Sequence, residues 1–322
     1  MEPMNNHSEP LVSILIPTHE RPKYFSIALA SVINQTYPNI EIIVSDNSND
    51  DDTKLIVSDF QKTYKNIKYF HNPGICMDDN WQVCWDNKSP SSKYSNFLMD
   101  DDFFAPNKIE IMVKHLESNP HLALATSYRK LLDADGNLMP DQPFNAPIFD
   151  ATTIVKGEIG GTHILTMHNN WIGEPTTVLF RNSFTDGFFR GWTGEEKYLI
   201  LDYPLWLRLL EKGDVIYIPE PLSFFRIHGS NDTNDFNTSI RFPLSLAYAI
   251  QTAWNKKKFL ITDEQKRQSL YLWCNAVIDN ISSCYKKDYH GENFEDLKIV
   301  FRIFSEQFCK KDLDEALTFK LD

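Results

Sequence analysis

The sequence predicts an α/β protein: a doubly wound, mostly parallel, Rossmann-like sheet followed by a helical C-terminal extension. Three features predict it. Between residues 11 and 118, short β-rich apolar runs alternate with stretches of helical periodicity, the pattern of a parallel sheet covered by helices on both faces. Those runs end in polar residues, and such sheets bind ligands outside the carboxyl ends of their strands. From about residue 239 the chain is helical in character, with few turn signals.

The elements follow in order. "LVSILIP" (11–17) is a buried strand ended by a proline. Pro22 opens a helix whose Phe25, Leu29, Val32 and Ile33 share one face, and Tyr37-Pro38 ends it. "IEIIVSD" (40–46) is a second strand, "TKLIVSDFQK" a helix, "IKYFHN" a third strand and "MDDNWQVCWDN" a helix or turn. "SNFLM" is the fourth strand, and "PNKIEIMVKHLES" is a helix with Pro106 at its start. "LALATSYRKLLDADGNLM" reads as a strand and hairpin turning at Asp135-Gly136. Residues 140 to 175, rich in Pro, Gly, Asn and Thr, read as long loops. "TTVLFRN" is a strand, "YLILDYPLWLRLLEKG" a helix ending at Gly213, and "DVIYIPEPLSFFRIHGSN" strands. Thr262 with Gln265 forms a capping box in the tail. The expected organisation is a disordered N-terminus (1–10), a principal domain (11–238) and a helical region (239–322).

The 322 residues, 42% hydrophobic, can bury a substantial core. A formal net charge of −12, from Lys+Arg 32 against Asp+Glu 44, disfavours a nucleic-acid backbone binder. No apolar run reaches the about 18 residues of a transmembrane helix, and "MEPMNNHSEP" lacks the features of a secretory signal. The five cysteines, Cys76, Cys84, Cys274, Cys284 and Cys309, are scattered with no CxxC pair, as in a reduced cytoplasmic protein.

Three strands deliver polar residues to one sheet edge: Thr18-His19-Glu20, Asp46-Asn47-Ser48 and Asp100-Asp101-Asp102. One acid would meet the needs of a helix-capping loop; three adjacent acids repel unless a cation offsets them. Mn²⁺ and Mg²⁺ prefer carboxylates and complete their shell with substrate phosphates. "DNSNDDD" fails as an EF-hand, because Asp51 and Val57 stand where Gly and Glu are needed. "THERP" lacks the second histidine of a zinc-protease helix, and neither a GxSxG elbow nor a Walker A loop occurs. Asp202, before a helix carrying Leu205, Trp206, Leu209 and Leu210, fits either an N-cap or a general base. His228 is a lone histidine after a strand.

Together these residues resemble an inverting family 2 glycosyltransferase with the nucleotide-diphospho-sugar transferase (GT-A) fold, over residues 11 to 232. The resemblance is carried by "VSILIPTHERPKYFSIALASVINQTYPNIEIIVSDNSND", "FLMDDDFFAPNKIE" and "LDYPLWLRLLEKGDVIYIPEPLSFFRIHGSN". It implies that Pro17, Thr18 and Glu20 flank the base and ribose, that Asp46 contacts the base, and that Asp100 lies by the ribose. It further implies Asp101 and Asp102 as metal-side acids, His228 near the metal or diphosphate, and Asp202 as catalytic base. Mn²⁺ or Mg²⁺ is the implied cofactor, and a nucleotide-sugar, UDP-linked by preference, the donor. The acceptor would be a glycan, glycolipid or glycoprotein, with Trp171, Glu174 and Trp192 as candidate acceptor contacts. Two features depart from the family. Leu201-Asp202 replaces the usual acid pair, and "HNNWIGEPTT" matches loosely. The implied location is cytoplasmic, including the inner membrane face, and the C-terminal helices are candidates for self-association. Two rivals remain: a sugar-phosphate nucleotidyltransferase, which would carry a Gly-rich loop absent from "PTHERPKYF", and a catalytically silent scaffold.

Overall fold

A computed structural model describes residues 9–186, 192–193, 202–229, 231 and 236–321. Residues 1–8 of the expected disordered terminus lie outside that set, as does Leu201. The first elements are β1 (Val12–Thr18), α1 (Pro22–Ile33), β2 (Ile40–Asp46), α2 (Asp52–Phe60), β3 (Ile67–His71), α3 (Met77–Asn87) and β4 (Tyr94–Phe97). Then come β5 (Phe103–Phe104), α4 (Lys108–Ser118), β6 (Leu122–Leu132), β7 (Leu138–Met139), β8 (Thr153–Val155), α5 (Gly157–Met167) and β9 (Leu179–Arg181). The last are α6 (Asp202–Lys212), β10 (Asp214–Arg226), α7 (Phe236–Lys256), α8 (Asp263–Lys286) and α9 (Glu292–Phe308).

The described residues group into two compact units, one drawn from 1–153, 172–187 and 216–226, the other from 154–171, 188–215 and 227–322. In the first, the sheet runs in the order β3-β2-β1-β4-β9-β6-β10-β5. β1 pairs in parallel with β2 and β4, and β2 with β3. Beyond β4 the β9 pairings with β4 and β6 are antiparallel, so the parallel, doubly wound part is the N-terminal half. β1 and β2 are buried along their whole length, which explains why their sequences read as continuous apolar runs instead of alternating. The β1–β2 register sets Thr18 beside Asp46, aligning the two polar strand ends. α1 begins with Pro22 at its first turn and buries Phe25, Ala28, Leu29 and Val32 in the core beneath the sheet. The hairpin turns as the sequence predicts: Gly136 has φ 90°, and β6 pairs with β7 across it.

Two local expectations change. α4 starts at Lys108, because Pro106 and Asn107 belong to the turn ahead of it. Within the supposed long loops of 140–175 lies α5, whose three glycines suggested a loop. Here glycine is a packing residue. A Cβ on Gly157 would meet the Gly213 and Leu210 carbonyl oxygens at 2.2 Å, and one on Gly161 would meet the Phe259 ring at 2.4 Å. α5 therefore lies close against α6 and the turn that follows α7.

The rest of the second unit packs α8 against α5, α7 and α9. Its capping box forms as predicted: the Gln265 N–H donates to Thr262 Oγ1 at 3.2 Å, and the Thr262 N–H donates to Gln265 Oε1 at 3.0 Å. A C-terminal run lies along α7. There Asn255 Nδ2 donates to the Leu317 carbonyl at 2.7 Å, the Leu317 N–H to Asn255 Oδ1 at 3.0 Å, and the Phe319 N–H to Gln251 Oε1 at 2.8 Å. Among the described residues no helix is long and apolar enough to cross a membrane.

Overpacking a close contact costs about 1–3 kcal/mol. Gly157→Ala should lower the melting temperature more than Gly161→Ala, since the first clashes with backbone and the second with a ring that can turn. Thermal unfolding of the two variants against wild type checks both the sign and the order.

Candidate functional site

The first unit collects the polar strand ends into one connected network. Thr18, last in β1, donates its hydroxyl to Asp100 Oδ2 at 2.9 Å, and the His19 N–H donates to the same oxygen at 3.2 Å. Arg21 Nη1 lies 3.2 Å from Asp100 Oδ1 and 3.2 Å from Asp101 Oδ2, bridging the two carboxylates. Asp100 is 5% exposed and Asp101 7%. Burial first, and then the Asp101 charge, push the Asp100 carboxyl up to about 6, against the pull of Arg21, the His19 N–H and Thr18.

Asp102 turns the other way. Its Oδ2 accepts the Thr176 hydroxyl at 2.6 Å and its Oδ1 accepts the Arg226 N–H at 2.9 Å, and the residue is 1% exposed. Burial, Asp101 and Glu174 hold its carboxyl well above the usual range, opposed by those two hydrogen bonds. Of the two acids expected on the metal side, Asp102 thus has both oxygens committed to the protein and anchors the loop. Arg226 completes the anchor, donating from Nε to the Asp101 carbonyl at 2.9 Å and from Nη1 to the Asp133 and Ala134 carbonyls, each at 3.3 Å. Its guanidinium also lies 4.7 Å from the centre of the Tyr24 ring.

Asp46, expected at the base, is fully buried, with Oδ1 accepting the Ser48 N–H at 2.9 Å and Oδ2 the Tyr69 hydroxyl at 2.7 Å. In this arrangement it shapes the loop after β2. Asn80 links that loop to β1, donating to the Thr18 carbonyl at 3.1 Å and to Asn47 Oδ1 at 3.2 Å. Glu20 is exposed and sits at φ 51°, a left-handed conformation uncommon outside glycine and asparagine. It is held there by its N–H to Ser48 Oγ at 2.6 Å and by Asn49 Nδ2 on its carboxylate at 2.7 Å. Pro17, inside β1, is paired with Ser45 and buried.

The second unit holds Asp202 at the first position of α6, half-buried. Its Oδ1 accepts the Tyr203 N–H at 2.9 Å and its Oδ2 accepts Asn170 Nδ2 at 2.7 Å. Asn170, in the loosely matching "HNNWIGEPTT" stretch, orients the carboxylate. His228 stands in a tight turn closed by Asn231, whose Oδ1 accepts the His228 N–H at 2.5 Å.

The three candidate acceptor contacts each have partners within the protein. Trp171 is 7% exposed, and its indole N–H donates to the Gly160 carbonyl at 3.2 Å. Trp192 is 4% exposed, donates to Glu211 Oε2 at 2.8 Å and packs near Phe259. Glu174 Oε2 is 2.6 Å from Arg129 Nε in a buried ion pair.

Sequence reasoning missed Arg21, Asn170, Thr176 and Arg226. Arg21 carried a usable signal, a cation beside a strand end in a chain rich in acids there. Thr176 and Asn170 carried none, since their partners are 74 and 32 residues away.

The seat for a divalent cation is tested by the donor set. Asp100 Oδ1 and Asp101 Oδ2 already converge on one cationic nitrogen. Among the described residues no group of three or more His, Cys, Asp or Glu side chains converges as ligands. Two carboxylates suit Mg²⁺ or Mn²⁺, which are held by one or two carboxylates together with substrate phosphates. The residues fit such an ion at Asp100–Asp101.

Because Asp100 titrates near 6 when folded, against 3.8 ordinarily, the folded state binds its proton more tightly. Metal-free protein should therefore lose stability as pH rises through that window, and Asp100→Asn should flatten the slope. Thermal melts in EDTA from about pH 4 to about pH 7 check it.

Residues 13–75 match the model of glycosyl transferase family 2. The chain is 31% identical over 229 residues to an uncharacterized glycosyltransferase of Rickettsia bellii (strain RML369-C), covering 69% of this chain and 29% of that protein. It is 25% identical over 224 residues to chondroitin synthase of Escherichia coli, covering 69% of this chain and 30% of that protein. The chain thus spans less than a third of the length of either relative. The crystal structure of S. aureus TarS 1–349 in complex with UDP-GlcNAc superimposes with a TM-score of 0.54 at 14% identity, covering 92% of this chain and 91% of that one. The chain therefore carries a glycosyltransferase family 2 domain built on the GT-A fold.

Proposed function

We propose that this protein is a metal-dependent, inverting glycosyltransferase that moves a sugar from a nucleotide diphosphate, UDP by preference, to an acceptor hydroxyl of a glycan, glycolipid or glycoprotein. One observation carries the reading: Thr18, Arg21, Asp100 and Asp101 converge at the ends of β1 and β4 within a family 2 domain. The fold shared with a protein solved with UDP-GlcNAc supports the nucleotide-sugar part.

Each residue then has a chemical role. Pro17, Thr18 and Glu20 line the nucleotide side, with the Asp46–Tyr69–Ser48 cluster shaping the loop beside them. Asp100 and Asp101 would hold the Mn²⁺ or Mg²⁺. When bound, the ion offsets the negative charge that develops on the departing diphosphate. Asp202, oriented by Asn170, takes the proton of the acceptor hydroxyl. That oxygen forms its bond to the anomeric carbon from the face opposite the diphosphate, as the bond from that carbon to the diphosphate oxygen breaks. Configuration inverts in a single displacement, and no enzyme nucleophile takes part.

Titration calorimetry with UDP and GDP, each with Mn²⁺ and then with excess EDTA, tests the donor half. The expected result is UDP binding that needs Mn²⁺ and is lost in Asp101→Ala; no binding of either nucleotide overturns the reading. Asp202→Asn should keep UDP binding and lower transfer by about 10² or more, measured as UDP release in the presence of acceptor. Turnover near wild type would remove Asp202 from the role of base.

A further inference from the structure

We infer that α8 is a self-association surface, on which a second copy of this chain packs antiparallel about a two-fold axis at Ile278. The inference concerns a face of the second unit and does not depend on the transferase reading above.

The sequence of α8 supplies two faces. Leu270, Trp273 and Val277 turn into the unit and are buried. Tyr271, Ile278 and Tyr285 do not: they are 54%, 50% and 63% exposed. These three recur every seven residues, close to two helical turns, so they stand in one row about 21 Å long. The half-buried Cys274 and Ile281 fill the positions between them. The row thus has the three–four spacing of a helix-pairing seam. Single exposed apolar side chains are ordinary, whereas a contiguous apolar row marks an interaction surface.

The symmetry of the row selects the occupant. Ile278 lies midway, seven residues from each tyrosine. When a second α8 runs antiparallel with the two Ile278 side chains facing each other, each Tyr285 falls opposite the other copy's Tyr271. One patch complements itself, as a two-fold interface requires. Charge favours the same orientation. The first turn of α8 carries Asp263 and Glu264, and the last carries Lys286. A parallel pair would set acid against acid, while the antiparallel pair brings each acidic turn toward the other copy's lysine. Arg267, eleven residues before Ile278, also comes opposite Asp288, ten residues after it, whose side chain is 94% exposed.

A groove receives the tyrosine. Glu264, Arg267, Gln268, Tyr271 and Phe308 line a cavity of about 470 Å³ where α8 meets the end of α9. The Tyr271 and Phe308 rings, 6.3 Å apart, form its apolar wall. Arg267 is fixed beside them, donating to the Phe308, Lys310 and Lys311 carbonyls at 2.9, 2.8 and 2.9 Å. In the antiparallel register Tyr285 of the second copy enters this groove, against two rings and a guanidinium. Tyrosine and arginine in such a pocket are the usual anchors of an interface. A seam one helix wide buries less than the about 800 Å² per partner of a standard stable complex, so the dimer dissociates on dilution.

Sedimentation velocity of the full chain across the micromolar range tests this with wild type, Ile278→Glu, Ile278→Lys and Tyr285→Ala. Wild type should form a dimer that dissociates on dilution, and Ile278→Glu and Ile278→Lys should each be monomeric. Mixing those two should restore a dimer, because a residue on the two-fold axis meets its own copy. Tyr285→Ala should raise the dissociation constant at least about thirtyfold, the loss of one interface hot spot. Helical circular dichroism matching wild type checks that each variant folds, and Tyr285→Ala decides the matter if a charged variant does not. Wild type that stays monomeric, or dimers that every substitution leaves intact, overturns the proposal. Monomeric charged variants whose mixture also stays monomeric overturn the two-fold register. A monomer that binds phosphatidylglycerol vesicles through Ile278 overturns it as well, making the row a lipid-facing surface.

Discussion

The structure of the first unit turns on a buried loop of three consecutive carboxylates. Carboxylates repel one another and lose hydration on burial, so the loop after β4 is tolerable only because each acid is answered by a fixed partner. Asp100 meets Thr18, His19 and Arg21; Asp101 meets Arg21; Asp102 meets Thr176 and the Arg226 backbone. These partners come from three distant segments. The loop therefore ties together the end of β1, the turn before β9 and the end of β10. Within the triplet, Asp102 points inward and secures the loop, while Asp100 and Asp101 both meet Arg21.

A second layer of buried charge backs this loop. Lys108 is fully buried at the start of α4, and its amine donates to the Thr177 carbonyl at 3.0 Å and toward Met112 Sδ at 3.4 Å. Burial holds that amine well below the usual lysine range, with Glu174 opposing the shift. Glu174 is itself paired with Arg129. Breaking a buried pair from one side costs about 3–5 kcal/mol, so this layer fixes the Pro175–Thr177 turn from behind. Thr176, which bonds Asp102, is presented by that turn. The rigidity of the acidic loop thus originates in groups that touch no ligand.

The parallel half of the fold was legible because burial on both faces produces unbroken apolar runs, as in β1 and β2, and because Pro22 and the Thr262–Gln265 pair mark helix starts. The α5 helix was not legible: its glycines are chosen for interhelical closeness, which no local rule separates from loop flexibility. The strand-end acids could be found from sequence, since three polar clusters at the ends of three strands are a pattern along the chain. Their division of labour could not. Whether an aspartate faces an arginine or a threonine 74 residues away depends on the turn before β9. The surroundings of the tryptophans were not legible either, since an indole whose N–H meets a distant carbonyl, as Trp171 meets Gly160, has no signature of its own along the chain.

The run along α7 has a consequence for how the chain tolerates change. Asn255 and Gln251 grip it through main-chain groups, as a neighbouring strand would. Leu317, Phe319 and Leu321 are buried, with Thr318 and Lys320 exposed between them. The amides are indifferent to which side chains pass beneath them, while the alternation demands a single phase. Point changes at the outward positions are therefore nearly silent. Gaining or losing one residue within the run would turn the lysine inward and the leucines out. This part of the molecule reads its own sequence as parity, and it is constrained in count more than in content.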